Sequence, residues 1–171
     1  MILINLEENS MKFRPHISLE VSDLDASIHF YQTVFGAEPT KQYADYANFR
    51  LEEPALHLAL VSKPGHRPYQ GDQHFGIELF EDTQLAEWKH KVVAAGLTPR
   101  IEETVTCCYA IADKFWLKDP DGNEWEFWVR HDEADSMHGA RQEVGCGTEG
   151  VCCAPASTPE PVAVTSSSCC A

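Results

Sequence analysis

Between His16 and Val21 every second residue is apolar: Ile17, Leu19 and Val21 alternate with His16, Ser18 and Glu20. A period of two marks a half-buried strand. The period then lengthens. Leu24, Ile28, Tyr31 and Phe35 recur at helical spacing behind Asp23, an acidic residue placed to cap a helix. Gly36 follows, the residue type that closes helices in the left-handed conformation, and Pro39 comes three residues later. The same layout returns downstream. His74 opens the alternation Phe75, Ile77, Leu79; Asp82 stands at the cap; Leu85, Trp88, Val92 and Ala95 keep helical spacing; Gly96 and Pro99 close the unit. Each helix is followed by short strand-like runs, "KQYADYANFRLEE" and "ALHLALVSK" in the first half and "RIEETV", "KFWLKD" and "NEWEFWVR" in the second, with the tight turn "DPDG" before the last. The pattern predicts an α+β domain over residues 12–132, built as two β-α-β-β-β modules of about 12–64 and 72–132 and joined through "SKPGHRPYQGDQ".

Outside that repeat the pattern fails. Residues 1–11 read as a flexible extension, with Met11 an alternative start. Residues 133–171 are rich in Gly, Ser, Pro and Thr and nearly free of large apolar residues, so they are expected to form a disordered, cysteine-rich tail. A chain of 171 residues fits one such domain plus a tail. The net charge of −14, without a Lys/Arg run, argues against nucleic acid and anionic membrane as partners. "MILINLEENS" has no basic segment or small-residue cleavage site, so a cytoplasmic location is expected.

Seven cysteines in such a chain point to metal, redox or catalytic work before a disulfide framework. Six of them form doublets: Cys107–Cys108, Cys152–Cys153 and Cys169–Cys170. A disulfide between sequence neighbours closes a strained ring. Two readings of Cys107–Cys108 remain, a pair of small packed residues or a trap in which two thiolates grip a thiophilic atom. Adjacent residues of a regular strand point to opposite faces. Convergence of the thiols therefore requires "EETVTCCYAIAD" to be a loop, expected to be mobile and near a binding site. The tail doublets suit accessory soft-metal capture without a catalytic duty; Cys146 has no spacing that joins it to them.

In "NEWEFWVR" alternation puts Glu124, Glu126 and Trp128 on one face and Trp125, Phe127 and Val129 on the other. A carboxylate between Trp and Phe is costly to bury unless it is paired or metal-bound. The paired modules, the openings "HISLEV" and "HFGIEL", and the ending "DPDGNEWEF" resemble the vicinal oxygen chelate superfamily, which includes glyoxalase I, extradiol dioxygenases and bleomycin-binding proteins. The resemblance covers about residues 12–131 and implies that the modules curl into an open barrel-like cup around a divalent metal. By position it implies His16, His74 and Glu126 as metal ligands. Glyoxalase I has a fourth ligand on the strand "ALHLALV", where His57 or Ala59 falls, and neither is a carboxylate. Two imidazoles and one carboxylate leave coordination positions open, as in Fe(II) oxygenases, although zinc, manganese or nickel suits the same donors.

With Cys107–Cys108 beside that triad, the chain resembles one branch closely, the iron-dependent carbon–arsenic lyases and their cadmium-induced relatives. The resemblance implies that Cys107 and Cys108 bind a trivalent organoarsenical such as methylarsenite, and that Fe(II) with O2 as cosubstrate cleaves its C–As bond. Catalytic residues beyond the metal centre are not implied. The alternatives are an extradiol-type dioxygenase acting on a catechol and a non-catalytic thiol protein sequestering cadmium or arsenic. With both modules present, one complete site per chain is expected, in a monomer or a homodimer.

Overall fold

The structure, a computed structural model, describes residues 13–67 and 73–139. Residues 1–11, the stretch from 140 onward, and with it Cys146, Cys152, Cys153, Cys169 and Cys170, lie outside the described residues. Module one runs β1 (His16–Val21), α1 (Leu24–Phe35), β2 (Lys41–Gln42), β3 (Tyr46–Leu51) and β4 (Leu56–Ser62). Module two runs β5 (His74–Leu79), α2 (Asp82–Ala94), β6 (Arg100–Cys107), β7 (Ala110–Lys118) and β8 (Glu124–Glu133). Each makes a four-stranded mixed sheet, in the orders β1-β4-β3-β2 and β5-β8-β7-β6. The helix carries the chain from the first strand back to lie parallel beside the last, as a parallel pairing requires. Among the described residues no helix is long and apolar enough to cross a membrane.

The alternating patterns sort the faces. Leu19 and Val21 of β1 and Trp125, Phe127 and Val129 of β8 are buried, while His16, Ser18 and Glu20 are exposed. The helices cover the apolar faces, and the modules share one core: Trp125 meets Tyr31 and Phe35 of α1, each at a ring separation of 5.8 Å, and Trp88 of α2 meets Phe127 at 4.8 Å. The "DPDG" turn also bridges the halves. Asp119 Oδ2 accepts from the Tyr31 hydroxyl at 2.7 Å, and both oxygens of Asp121 accept from the Ser22 N–H, at 3.0 and 3.1 Å. Burial raises the Tyr31 pKa well above the usual value, and the Asp119 charge raises it further.

Three details differ from the sequence-based expectation. Asp23 caps α1, accepting from the Ala26 N–H at 3.0 Å, but the α2 cap is Glu81; Asp82 lies in the first turn, where its charge faces the positive helix end. The stretch around the thiols is not a long loop. β6 and β7 extend to within two residues of each other, since Val105, Thr106 and Ile111 are β-branched and suit strands, leaving Cys108 and Tyr109 as the turn; Thr104, with φ 52°, lies where the β6 register shifts. Finally, residues 133–139, expected within the tail, are structured. β8 reaches Glu133, and the chain folds back along the thiol hairpin, where Cys108 N–H donates to Met137 O at 2.7 Å and Gly139 N–H to Thr106 O at 3.1 Å. Backbone pairing holds this segment where apolar burial does not.

Candidate metal and thiol site

The register of the parallel pair β5–β8 sets His74 opposite Glu124 and Gly76 opposite Glu126. His74 and Glu126 meet on the face turned away from the helices, with His74 Nε2 3.4 Å from Glu126 Oε2. Two adjacent ligands of one small ion, each with a bond of about 2.1 Å, stand roughly 3 Å apart. Gly76 leaves that face clear: a Cβ there would lie 3.7 Å from Glu126 Oε2, so a larger side chain would extend over the carboxylate. The donor pair fits a divalent metal.

Lys114 also belongs to this site. Its Nζ donates to Glu126 Oε1 at 2.7 Å, and its side chain is 5 % exposed. One carboxylate oxygen is thus committed to an ammonium while the other faces His74. Trp116 borders the imidazole edge-on at 4.9 Å, with the Arg100 guanidinium 4.7 Å from its own ring centroid. Neither Lys114 nor Trp116 was identified by the sequence reading. A lone lysine amid Ala112, Phe115, Trp116 and Leu117 was the available signal, because a cation in such a strand requires a partner.

Cys107 and Cys108 open onto the same space. His74, Lys114, Glu126, Trp128, Cys107 and Cys108 line a pocket of about 110 Å³, with Ala110 and Ala112 as the small residues between them. Cys108 and Tyr109 have φ of 55° and 64°, both left-handed, which makes a two-residue hairpin turn of the primed type that matches strand twist. Gly and Asn usually fill such positions; each bulkier residue costs about 1–2 kcal/mol there. The turn breaks the alternation that would otherwise separate neighbouring side chains. The Cys107 and Cys108 sulfurs lie 3.4 Å apart, beyond the roughly 2.05 Å of a bond between them; Cys107 is disulfide-bonded in this structure and Cys108 is exposed, so the two can share one soft atom only after reduction.

His16 is placed differently. It is exposed at the start of β1 and stacks on His57 at 4.3 Å, in a register that pairs His16 with His57 and Ser18 with Ala59. By comparison with β5–β8, Ala59 holds the place of Glu126 and His57 that of Glu124. Module one therefore has no carboxylate at the equivalent position. His57 Nε2 is buried without a hydrogen-bond partner. Burial, followed by the cations His16, Arg50 and Arg14, lowers its pKa. Among the described residues, the one group with three donor atoms within 4.8 Å of one another is Asp82, Asp113 and His131. Among the described residues His16 forms no such group with His74 and Glu126. The Asp82–Asp113–His131 group lies by α2, with His131 Nε2 3.8 Å from Asp82 Oδ1 and 3.4 Å from Asp113 Oδ2. A larger cavity of about 830 Å³, between Glu52–Ala55 and the β5–α2 region, is lined by four glutamates and has no histidine or cysteine.

Solved structures share the architecture. A glyoxalase/bleomycin resistance protein/dioxygenase from Alicyclobacillus acidocaldarius superposes with a TM-score of 0.60 at 19 % identity, covering 70 % of this chain and 92 % of that one. Sequence relatives are nearer. The chain is 43 % identical over 116 residues to a trivalent organoarsenical cleaving enzyme of Bacillus sp. (strain MD1), a match spanning 66 % of this chain and 70 % of that protein. It is 34 % identical over 157 residues to a trivalent organoarsenical cleaving enzyme of Thermomonospora curvata, spanning 92 % and 99 %. It is 34 % identical over 142 residues to the cadmium-induced protein CadI of Mycobacterium bovis, spanning 82 % and 92 %. With residues 14–127 matching the family as a whole, the chain belongs to the Glyoxalase/Bleomycin resistance protein/Dioxygenase superfamily.

Proposed function

We propose that this protein cleaves the carbon–arsenic bond of trivalent organoarsenicals, in the cytoplasm, with Fe(II) held by His16, His74 and Glu126 and O2 as cosubstrate. The observation that carries this reading is the common pocket: two neighbouring cysteine sulfurs, a thiol pair once Cys107 is reduced, open onto the same 110 Å³ as a ligand-like His74–Glu126 pair. Relatives bearing the name of that activity support it. Trivalent arsenic is a soft centre that takes two thiolates. Cys107 and Cys108 displace two hydroxyls of methylarsenite as water, so the arsenical is bound neutral with its single carbon substituent free. The hairpin then presents that substituent toward His74 and Glu126, exchanging a bimolecular encounter for a held geometry. Iron, when bound, supplies the binding and activation of O2. Lys114 orients Glu126 through its hydrogen bond, and Trp116 and Trp128 restrict water. For methylarsenite the overall balance is one O2 consumed for one arsenite and one formaldehyde released, with all four electrons coming from the methyl carbon.

The test follows arsenic speciation after Fe(II) and methylarsenite are added in air to the reduced protein. Catalytic arsenite that requires both iron and oxygen is expected. Tight arsenic binding without a change in speciation would leave the second reading, a thiol-based sequestering protein, which the thiol pair and the likeness to a cadmium-induced protein favour.

A further inference from the structure

We infer that the outward face of module one binds a small oxyanion, held by Arg14, Arg50 and His57. In module two the register sets His74, Glu124 and Lys118 side by side across β5, β8 and β7. The carboxylate in the middle serves the cations beside it: Glu124 Oε1 lies 2.9 Å from Lys118 Nζ, and Oε2 lies 3.9 Å from Arg100 Nη2. The corresponding row of module one is His16, His57 and Arg50, across β1, β4 and β3. Arg50 keeps the place of Lys118, but a base stands where the carboxylate would be. With strands about 4.8 Å apart, the whole row spans about 10 Å. Arg14 joins it, because the His57 N–H donates to Pro15 O at 2.8 Å and so lays the start of β1 alongside. In a chain of net charge −14 these bases stand together against the overall sign.

Two nitrogens at this place, Arg14 Nε and His57 Nε2, are buried without a hydrogen-bond partner among the described residues. A buried polar atom in that state is costly until something bonds to it. The nearby acids are engaged elsewhere. Glu52 accepts from the terminal nitrogen of Arg14, and Glu20, four residues along β1 from His16, accepts from Lys63 Nζ at 2.5 Å. Arg50 is exposed, and a guanidinium offers two parallel N–H donors that match two oxygens of an oxyanion. A hydroxyl on the ligand also has a place. Asn48 is buried on the same face, two residues and roughly 7 Å along β3 from Arg50. Its Nδ2 donates to the Tyr46 hydroxyl at 3.0 Å, while its Oδ1 is buried with no donor to accept from. The ligand class is therefore a small oxyanion that carries a hydroxyl, with hydrogen phosphate and a 2-hydroxy carboxylate as its two sources. Arg14, Arg50 and His57 take no part in the metal and thiol chemistry proposed above, so this site stands or falls independently of it.

An NMR titration of the reduced, metal-free protein tests this, with sodium phosphate and sodium lactate added separately at constant ionic strength. Without metal, neither anion can bind through an ion at His74 and Glu126. Saturable shifts centred on Arg50, His57 and Asn48 are expected for at least one probe. Saturation by phosphate alone identifies an inorganic oxyanion, and by lactate alone an organic acid. Arg50→Ala removes an exposed side chain, so the variant folds; it should weaken binding by about tenfold or more, the effect of losing a hydrogen bond to a charged group. Lys118→Ala, the counterpart in module two, should leave the affinity unchanged. Shifts that grow linearly with both probes, shifts centred elsewhere, undiminished affinity in Arg50→Ala, or an equal loss in Lys118→Ala would overturn the site.

Discussion

Lys114 and Glu126 form an ion pair at 2.7 Å in which the lysine side chain is 5 % and the glutamate 12 % exposed. Removing one member of a buried pair strands the other charge and costs about 3–5 kcal/mol. Lys114→Met should therefore lower stability by that order in urea denaturation. The double variant with Glu126→Gln should recover most of the loss, because no charge is then left unpaired. A Lys114→Met protein as stable as wild type would mean that the pair is solvated.

The converging sulfurs make a separate prediction about ligand affinity. Cys107→Ser and Cys108→Ser should each weaken methylarsenite binding by at least tenfold, measured by calorimetry under reducing conditions, because a single thiolate replaces a chelate. Co(II) content should be unchanged in both. Undiminished arsenical binding by either variant would assign the doublet a packing role, and with it favour an extradiol-type enzyme.

Tyr109 is left-handed at φ 64° and 54 % exposed, so its side chain contributes little burial at a position that penalises its backbone. Asn tolerates that conformation. Tyr109→Asn should stabilise the protein by about 1 kcal/mol, a rise in melting temperature of roughly 2–4 °C for a chain of this size. A fall would show that the ring has packing partners that outweigh the backbone term.

Tyr31 keeps its proton in the folded state well above the pH at which an unfolded tyrosine ionises, near 10. Above that pH the unfolded chain releases a proton that the native chain retains, so stability falls as pH rises. Tyr31→Phe should be less stable at neutral pH, by about 1–3 kcal/mol for the stranded Asp119 and Trp125 partners, but should lose stability less steeply between pH 10 and 11. Parallel alkaline profiles for the two proteins would contradict this.

The repeat was legible because both modules write their strands at period two and their helices at 3.6, and β1, α1, β4, β5 and β8 stand where those periods put them. The thiol turn was not, because neither Cys108 nor Tyr109 is a residue that signals a turn; its left-handed backbone is imposed by the pairing of Cys107 with Ala110. Lys114 escaped notice because its partner lies on a neighbouring strand, twelve residues away, at a register that alternation alone leaves open. Residues 133–139 escaped for the opposite reason: their composition resembles that of the tail, and hydrogen bonds to the thiol hairpin distinguish them. Whether His57 or Ala59 matched Glu126 was a question of register, which pairing answers and composition cannot.

The bond from Tyr31 to Asp119, with the Trp125 indole donating to the same hydroxyl at 3.1 Å, ties the first helix of one repeat to the last turn of the other. Duplicated halves of this length would otherwise resemble beads on a string, each melting at its own temperature. Here neither half has a finished interior until the other has folded against it, so denaturation should proceed as a single cooperative transition. A genetic split between the modules should then yield two fragments that are individually unfolded and recover structure only when mixed.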